Sequence, residues 1–523
     1  MHLGFPLRSN LNFDEIDYGA KAELASLGVK KAVFDRDITD GRFSLTLDRS
    51  ALTLDGNGKL DGVPTEARWI ERLGSTGNLA ARSQVQAKAV VDDRARERFG
   101  IDPIPDILHG PAGVDVTYQV FDDHRSRVDA ALDLTPSRLT LGAVDWTKKP
   151  GVAGHATIGF DMTDGAISTL DLLKVQAGDL DLDATMSFDA GNIRRMDLTR
   201  LKLGGTEATG SVERQADGGW VLRGGGPTID IGPLLKKLGE ASPDDTTKDD
   251  GPKLDIQAST DRLILGPGRD IRQVVFDGLI ARNRLEYGKF DGQLGAKGAA
   301  GFHLDRPEAG GQFALTTDDF GALLKVFDVS DNVVGGKFSA IGTVVPDNDL
   351  RRYVGKAEAT DYRVIRAPFM ARMLSIASLA SIGSLLTGDG LPFTIFKADF
   401  TLENGRLALS GAHASGGALG INADGWVDLD HDVLDLKGTL VPAYTLNSIL
   451  NNIPLLGDLI TGGEGTGLFA ANYRLSGSLD DPQINMNPLS ALAPGFLRQL
   501  FLFDAPAAPV PDPRTQPPDA KQP

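Results

Sequence analysis

Leu180-Asp181-Leu182-Asp183-Ala184-Thr185-Met186-Ser187-Phe188-Asp189 carries an apolar side chain at every even position and a polar one at every odd position. Successive side chains of a β-strand point to opposite faces, so this segment reads as a strand with one apolar and one wet face. Gly191-Asn192 follows as a turn signal. The same alternation appears in Phe43-Ser44-Leu45-Thr46-Leu47-Asp48 and in Leu52-Thr53-Leu54-Asp55. Ala398-Asp399-Phe400-Thr401-Leu402-Glu403, then Asn404-Gly405, then Leu407-Ala408-Leu409-Ser410 reads as a hairpin, because both Asn and Gly tolerate positive φ. Turn signals recur about every 8–12 residues from Phe43 to Ile484, the spacing of an all-β protein. A sheet extended by repeated hairpins fits so long a run better than a closed sandwich.

Composition agrees. The chain has 523 residues, 62 of them Gly, and only 7% aromatics. Its net charge is −17, with 71 acidic against 54 basic residues. No basic stripe is present to displace counterions from phosphates, so nucleic acid is not an expected partner. The absence of Cys removes thiolate metal sites, Cys nucleophiles and disulfides within the chain. The first ten residues hold no apolar core of signal-peptide length.

Short helices are expected at 92–99, stopped by Gly100, at 233–238 and at 319–327. The last two each follow a strand and carry Leu-Leu-Lys, a weak internal repeat. The reading divides the chain into an N-terminal β part (1–238), an acidic disordered loop (239–253), a C-terminal β part (254–504) and a disordered Pro-rich tail (505–523). Three apolar segments could touch a membrane. Segment 369–386 is a helix buried against the sheet, an interfacial or gating helix, or a marginal span. Segment 445–461 places Leu446, Ile449, Leu450 and Ile453 at helical spacing before Pro454. Segment 489–503 is expected to touch membrane through Leu492, Phe496, Leu500, Phe501 and Phe503, or else to cap the sheet end.

Searches for chemistry return no constellation. The seven histidines have no metal-ligand spacing, and 462–467 lacks the Lys-Ser/Thr of a phosphate loop. Asp181, Asp183 and Asp189 fall on the wet side of their strand and read as solubility charges; a distant acid pair stays open as a carbohydrate-processing alternative. No cofactor and no metal are expected, and the chain reads as a non-enzyme.

Several fragments carry a family resemblance. They are Phe338-Ser339-Ala340-Ile341-Gly342-Thr343, the run 417–428 leading to Leu440-Val441-Pro442-Ala443, and Asn452-Ile453-Pro454-Leu455-Leu456-Gly457. Tyr473-Arg474-Leu475-Ser476-Gly477-Ser478-Leu479-Asp480-Asp481-Pro482, Asn487-Pro488-Leu489 and Pro494-Gly495-Phe496-Leu497-Arg498 complete the C-terminal set. Together these resemble the C-terminal region of AsmA-like proteins, particularly the YhdP branch, with TamB as a more distant relative. Val63-Pro64 with Arg68-Trp69-Ile70-Glu71 resembles a piece of that branch's central domain. The likeness covers about residues 330–500 well and 40–330 loosely.

The resemblance implies a periplasmic protein of Gram-negative bacteria, anchored in the inner membrane by an N-terminal helix that this sequence lacks. It implies a curved, mostly antiparallel sheet forming an open U-shaped groove (a β-taco), with a few amphipathic helices. Phospholipids are the implied cargo, carried between the inner and outer membranes. Expected groove walls are Phe43, Leu45, Leu47, Leu180, Leu182, Met186, Phe188, Phe313, Leu315, Phe400, Leu402, Leu407 and Leu409. A second reading makes the protein an assembly factor that holds unfolded outer-membrane strands by edge pairing.

Overall fold

The computed structural model describes residues 1–4, 17–33, 35–74, 80–100, 107–189, 191–240, 251–282, 284–296, 298–306, 311–347, 350–376, 386, 389–442, 471–479 and 481–486. The fold is all-β, an open and mostly antiparallel sheet with few short helices. Among the described residues, 27 strands pair with their neighbours in sequence, and three short ones form a separate small sheet. The chain divides into two units, residues 1–268 with 280–283, and residues 269–279 with 284–523.

In the first unit the strands form one meander from His2–Gly4 to Leu254–Gly266. Directly opposed residues of paired strands share a face, so the register shows which side chains gather together. Leu45 opposes Leu54, Leu54 opposes Trp69, Trp69 opposes Val85, and Val85 opposes Tyr118. The file continues through Val128, Phe160, Leu170 and Met186. It ends through Met196, Val212, Leu222 and Ile256. One face of this ladder is therefore apolar from strand to strand. The opposite face is ionic, with Lys88–Asp115 at 3.0 Å and Arg200–Asp181 at 2.8 Å among its pairs.

Bulges keep this segregation intact. Leu170 and Leu173 lie three apart in sequence, which plain alternation would send to opposite faces. A register shift between them returns both to the apolar side. Leu198 and Leu201 are reconciled in the same way. The final pair, Trp220–Asp230 with Leu254–Gly266, is parallel, and the helix α2 (Gly232–Glu240) begins its crossover.

The connections are unequal at the two ends of the strands. At one end the described links 48–50, 121–124, 164–165 and 215–219 are short; this is the turn end. At the other end the chain inserts the helix α1 (Asp93–Phe99), the small sheet and α2; this is the insertion end. α1 follows its expected boundaries, with Asp92 accepting from the Ala95 N–H and Gly100 closing it at φ 64°. The small sheet joins Leu108–His109, Arg138–Leu141 and Trp146–Lys148.

The second unit, described by itself, is an antiparallel meander. Its strands include Gln312–Thr317, Val333–Asp347, Leu350–Val364, Leu391–Glu403 and Arg406–Ser415, and it ends at Gln483–Met486. One file runs Leu304, Phe313, Gly342, Gly355, Phe400 and Leu409. It goes on through Gly425, Leu436, Leu475 and Ile484. The expected Asn404-Gly405 hairpin forms, with φ of 49° and 70° at the two turn residues. Here too the helices cluster at one end of the strands. α3 (Phe320–Val326) precedes Val333, and α4 (Pro368–Ile376) follows Val364. α4 covers part of the second unit's sheet: Met373, Leu374 and Leu386 join Tyr362, Leu391, Phe393, Leu419 and Leu440 in one buried cluster. For its first half, segment 369–386 is thus a helix packed on the sheet. No helix among the described residues is long and apolar enough to cross a membrane.

Phe313 explains two of the glycines. Its ring packs edge-on to Tyr353 at 5.8 Å and meets Phe400 at 6.1 Å, reaching across two intervening strands. A Cβ added at Gly342 or Gly355 would strike the Val354 or Ile341 carbonyl of the paired strand, and would lie 2.8 or 3.1 Å from the ring. Gly342→Val is expected to lower the stability of this unit by about 1–3 kcal/mol, the usual cost of overpacking. Urea unfolding monitored in the purified protein checks this.

Candidate functional site: the apolar sheet faces

The apolar file of the first unit is large, continuous and incompletely covered. A face packed under a second layer buries its side chains almost fully. Leu54, Trp69, Val85, Tyr118, Val128, Phe160, Leu170 and Met186 all remain half-buried instead. Burial is most extensive along the insertion end, where Val63, Val91, Ala112, Leu134, Ala177 and Leu180 fall below 9% exposure. There α1 contributes Ala95 to one cluster and the small sheet contributes Leu139 to another. At the turn end the apolar residues open outward: Ile167 and Ile193 are 39% and 38% exposed.

Two buried cations hold the insertions in place. The Arg96 guanidinium donates to the carbonyls of Leu108 and Gly110, both at 2.9 Å, and pairs with Asp93. The Lys148 ammonium donates to the carbonyls of Leu134 at 2.8 Å and Ser137 at 2.9 Å. Burial pulls the Lys148 pKa below the ordinary lysine value, opposed by the nearby Asp133 carboxylate. α2 is tied in by Lys237, which donates to the Gly142 carbonyl at 2.8 Å, and by Lys236 with Asp145 at 3.6 Å. The insertion end is thus one connected cap.

The expected groove residues distribute as follows. Phe43, Leu45, Leu47, Leu180, Leu182, Met186 and Phe188 all share the apolar face of the first unit. Phe43 and Leu180 are buried and the rest half-buried. Phe313, Leu315, Phe400, Leu402, Leu407 and Leu409 share the apolar face of the second unit. Of these only Phe313 is buried. Leu492, Phe496, Leu500, Phe501 and Phe503, like segment 445–461 and the Pro-rich tail, lie outside the described residues. Sequence reading missed Trp69, Tyr118, Phe160 and Leu170. Val114-Asp115-Val116-Thr117-Tyr118 carries a legible alternation, whereas Leu170 joins its file only through a bulge.

The polar faces also have relief. A cavity of about 860 Å³ opens on the first unit's ionic side, lined by Asp40, Arg42, Lys59, Glu66, Lys88, Asp115, Asp133 and His155 among others. Asp40 pairs there with Lys59 at 2.9 Å and Asp115 with Lys88 at 3.0 Å. A cavity of about 420 Å³ lies on the second unit's polar side, between Asp291, Lys337 and Glu358. Described histidines make surface contacts, as His303 does with Asp305 at 2.7 Å. Among the described residues no group of three or more His, Asp or Glu could hold a metal ion.

Carboxylates pin several turns at the turn end. Asp48 accepts from the Ser50 hydroxyl at 2.6 Å and from the N–H groups of Ser50 and Ala51, which hold it below the usual carboxylate range. Asp123 is lowered by Arg125, and Asp217 by Lys253 and the Gly219 N–H. A depressed folded-state pKa means stabilisation that is present above the unfolded value and lost as pH falls through the folded one. Asp48→Asn is therefore expected to lower the urea midpoint at pH 7 and to leave it unchanged near pH 2. Paired denaturation curves at the two pH values test this.

No family model matches the chain, and no curated protein or solved structure matches it either.

Proposed function

We propose that the protein holds phospholipid acyl chains against the apolar faces of its ladders and supports lipid movement between two membranes. In this reading each face curves into an open, U-shaped groove. The carrying observation is the half-exposed file from Leu45 to Ile256. At ~4.8 Å per strand it extends on the order of 60 Å. Soluble proteins rarely leave so large a contiguous apolar surface to water. Each methylene laid against it gains about 0.8 kcal/mol, and no specific polar site is needed for a headgroup left outside. The resemblance of several fragments to AsmA-like proteins supports the same reading. It extends the reading to a periplasmic location, to an inner-membrane anchor preceding this chain, and to contacts with membrane surfaces and other envelope proteins.

Edge capture of unfolded strands is the less supported alternative. Among the described residues, positions 20–33 have a β-partner on one side only. Yet that edge is broken by register shifts, has Ser26 and Lys31 at φ of 55° and 51°, and carries Lys21, Lys30 and Lys31. These are features by which edge strands refuse partners.

Mass spectrometry of an organic extract of the purified protein tests the proposal, with phospholipid expected. Met186→Asp and Leu409→Arg, on the apolar faces, are expected to retain at least threefold less. Gln86→Glu, on the polar face, is expected to retain the wild-type amount. Lipid-free wild-type protein, or equal retention in all variants, would overturn the reading.

A further inference from the structure

We infer that a lipid on the first unit's apolar face lies in a fixed sense, with its headgroup at the turn end and its chain tips toward the insertion end. This rests on the lipid reading above and adds a direction to it. The two ends of these strands differ in how far protein covers the apolar face. At the insertion end the last apolar row, including Val63, Val91, Leu134 and Ala177, is already sealed by protein. That cap is held by Arg96 and Lys148, whose charges are spent on backbone carbonyls facing them. A headgroup there would have to displace protein before it reached the apolar face.

At the turn end no helix is found among the described residues; Leu47, Leu52 and Phe188 stay half-buried and Ile167 is 39% exposed. Ions of both signs stand beside them at the surface. Arg82 pairs with Glu71 at 3.1 Å, Arg125 with Asp123 at 2.8 Å, and Lys253 with Asp217 at 2.8 Å. A phosphate with an attached ammonium can exchange into such pairs without burying a charge. The dimensions agree. From Leu52 at the turn end to Leu60 at the other, the strand rises about 26 Å. One leaflet of hydrocarbon is about 15 Å thick, so a chain entering from the turn end finishes on the apolar face and short of the cap.

The chain lacks cysteine, so single reporters can be placed cleanly. Asp164→Cys lies in an exposed link at the turn end, and Val152→Cys is exposed at the insertion end, close to Gly178. Each full-length variant is labelled with bimane and loaded with phosphatidylcholine carrying a nitroxide on the choline or near the acyl terminus. Bound lipid is counted by phosphate assay. The headgroup nitroxide is expected to quench the label at 164 at least twofold more than that at 152, and the chain-end nitroxide to reverse the order. Retained lipid with equal quenching at both sites, or with the opposite order, overturns the orientation and leaves the lipid reading standing. Absence of retained phosphate overturns the lipid reading itself, and the orientation falls with it.

Discussion

The structure depends on register. A one-residue slip between paired strands would carry a whole row of side chains to the opposite face. The first unit preserves its apolar file across strand after strand, and does so by inserting a bulge wherever the sequence loses phase. At Leu198 and Leu201 the shift leaves Thr199 and Arg200 facing outward, where Arg200 meets Asp181. Ion pairs on the wet face and leucines on the dry one are consequences of one alignment. The second unit reaches the same outcome through glycine, letting the Phe313 ring span Gly342 and Gly355 to touch Phe400.

Register alone does not leave a face open. Segregated faces normally pair with another layer and vanish into a core. Among the described residues the helices of each unit are short and lie toward one end of the strands. α1, the small sheet and α2 seal only the insertion end of the first unit, and α4 packs on part of the second. Among the described residues the central rows of the first unit stay half-exposed, beyond the buried clusters that the insertions join. Arg96 and Lys148 fix the cap where it is, by committing buried cations to carbonyls of neighbouring loops. A lipid-holding surface needs this economy of cover, since a fuller layer would occupy the place of the acyl chains.

Much of this was legible in the sequence. Period-2 alternation at 43–48, 180–189 and 398–410 identified strands and their apolar faces, and Asn404-Gly405 announced its hairpin. Asp92 and Gly100 marked both ends of α1, because caps obey local backbone chemistry. What escaped reading was non-local. Leu170 and Leu173 look inconsistent until a partner strand supplies the bulge. Tyr362 joins Phe338 against Phe320 and stacks on Phe393, although strict alternation from Phe338 would turn it away. Positive φ at Gly335, Gly336 and Asp361 accompanies that change of side. The buried placement of Arg96 and Lys148 was equally silent, since a lone basic residue carries no sign of the carbonyls that will meet it.

The central claim is that the apolar faces are left free by protein for a hydrocarbon guest. An experimental density map of the purified full-length chain tests it most directly. Elongated non-protein density lying along Leu54, Trp69 and Tyr118 is the predicted result. Polypeptide packed over those three side chains, leaving no room for an acyl chain, would contradict the account.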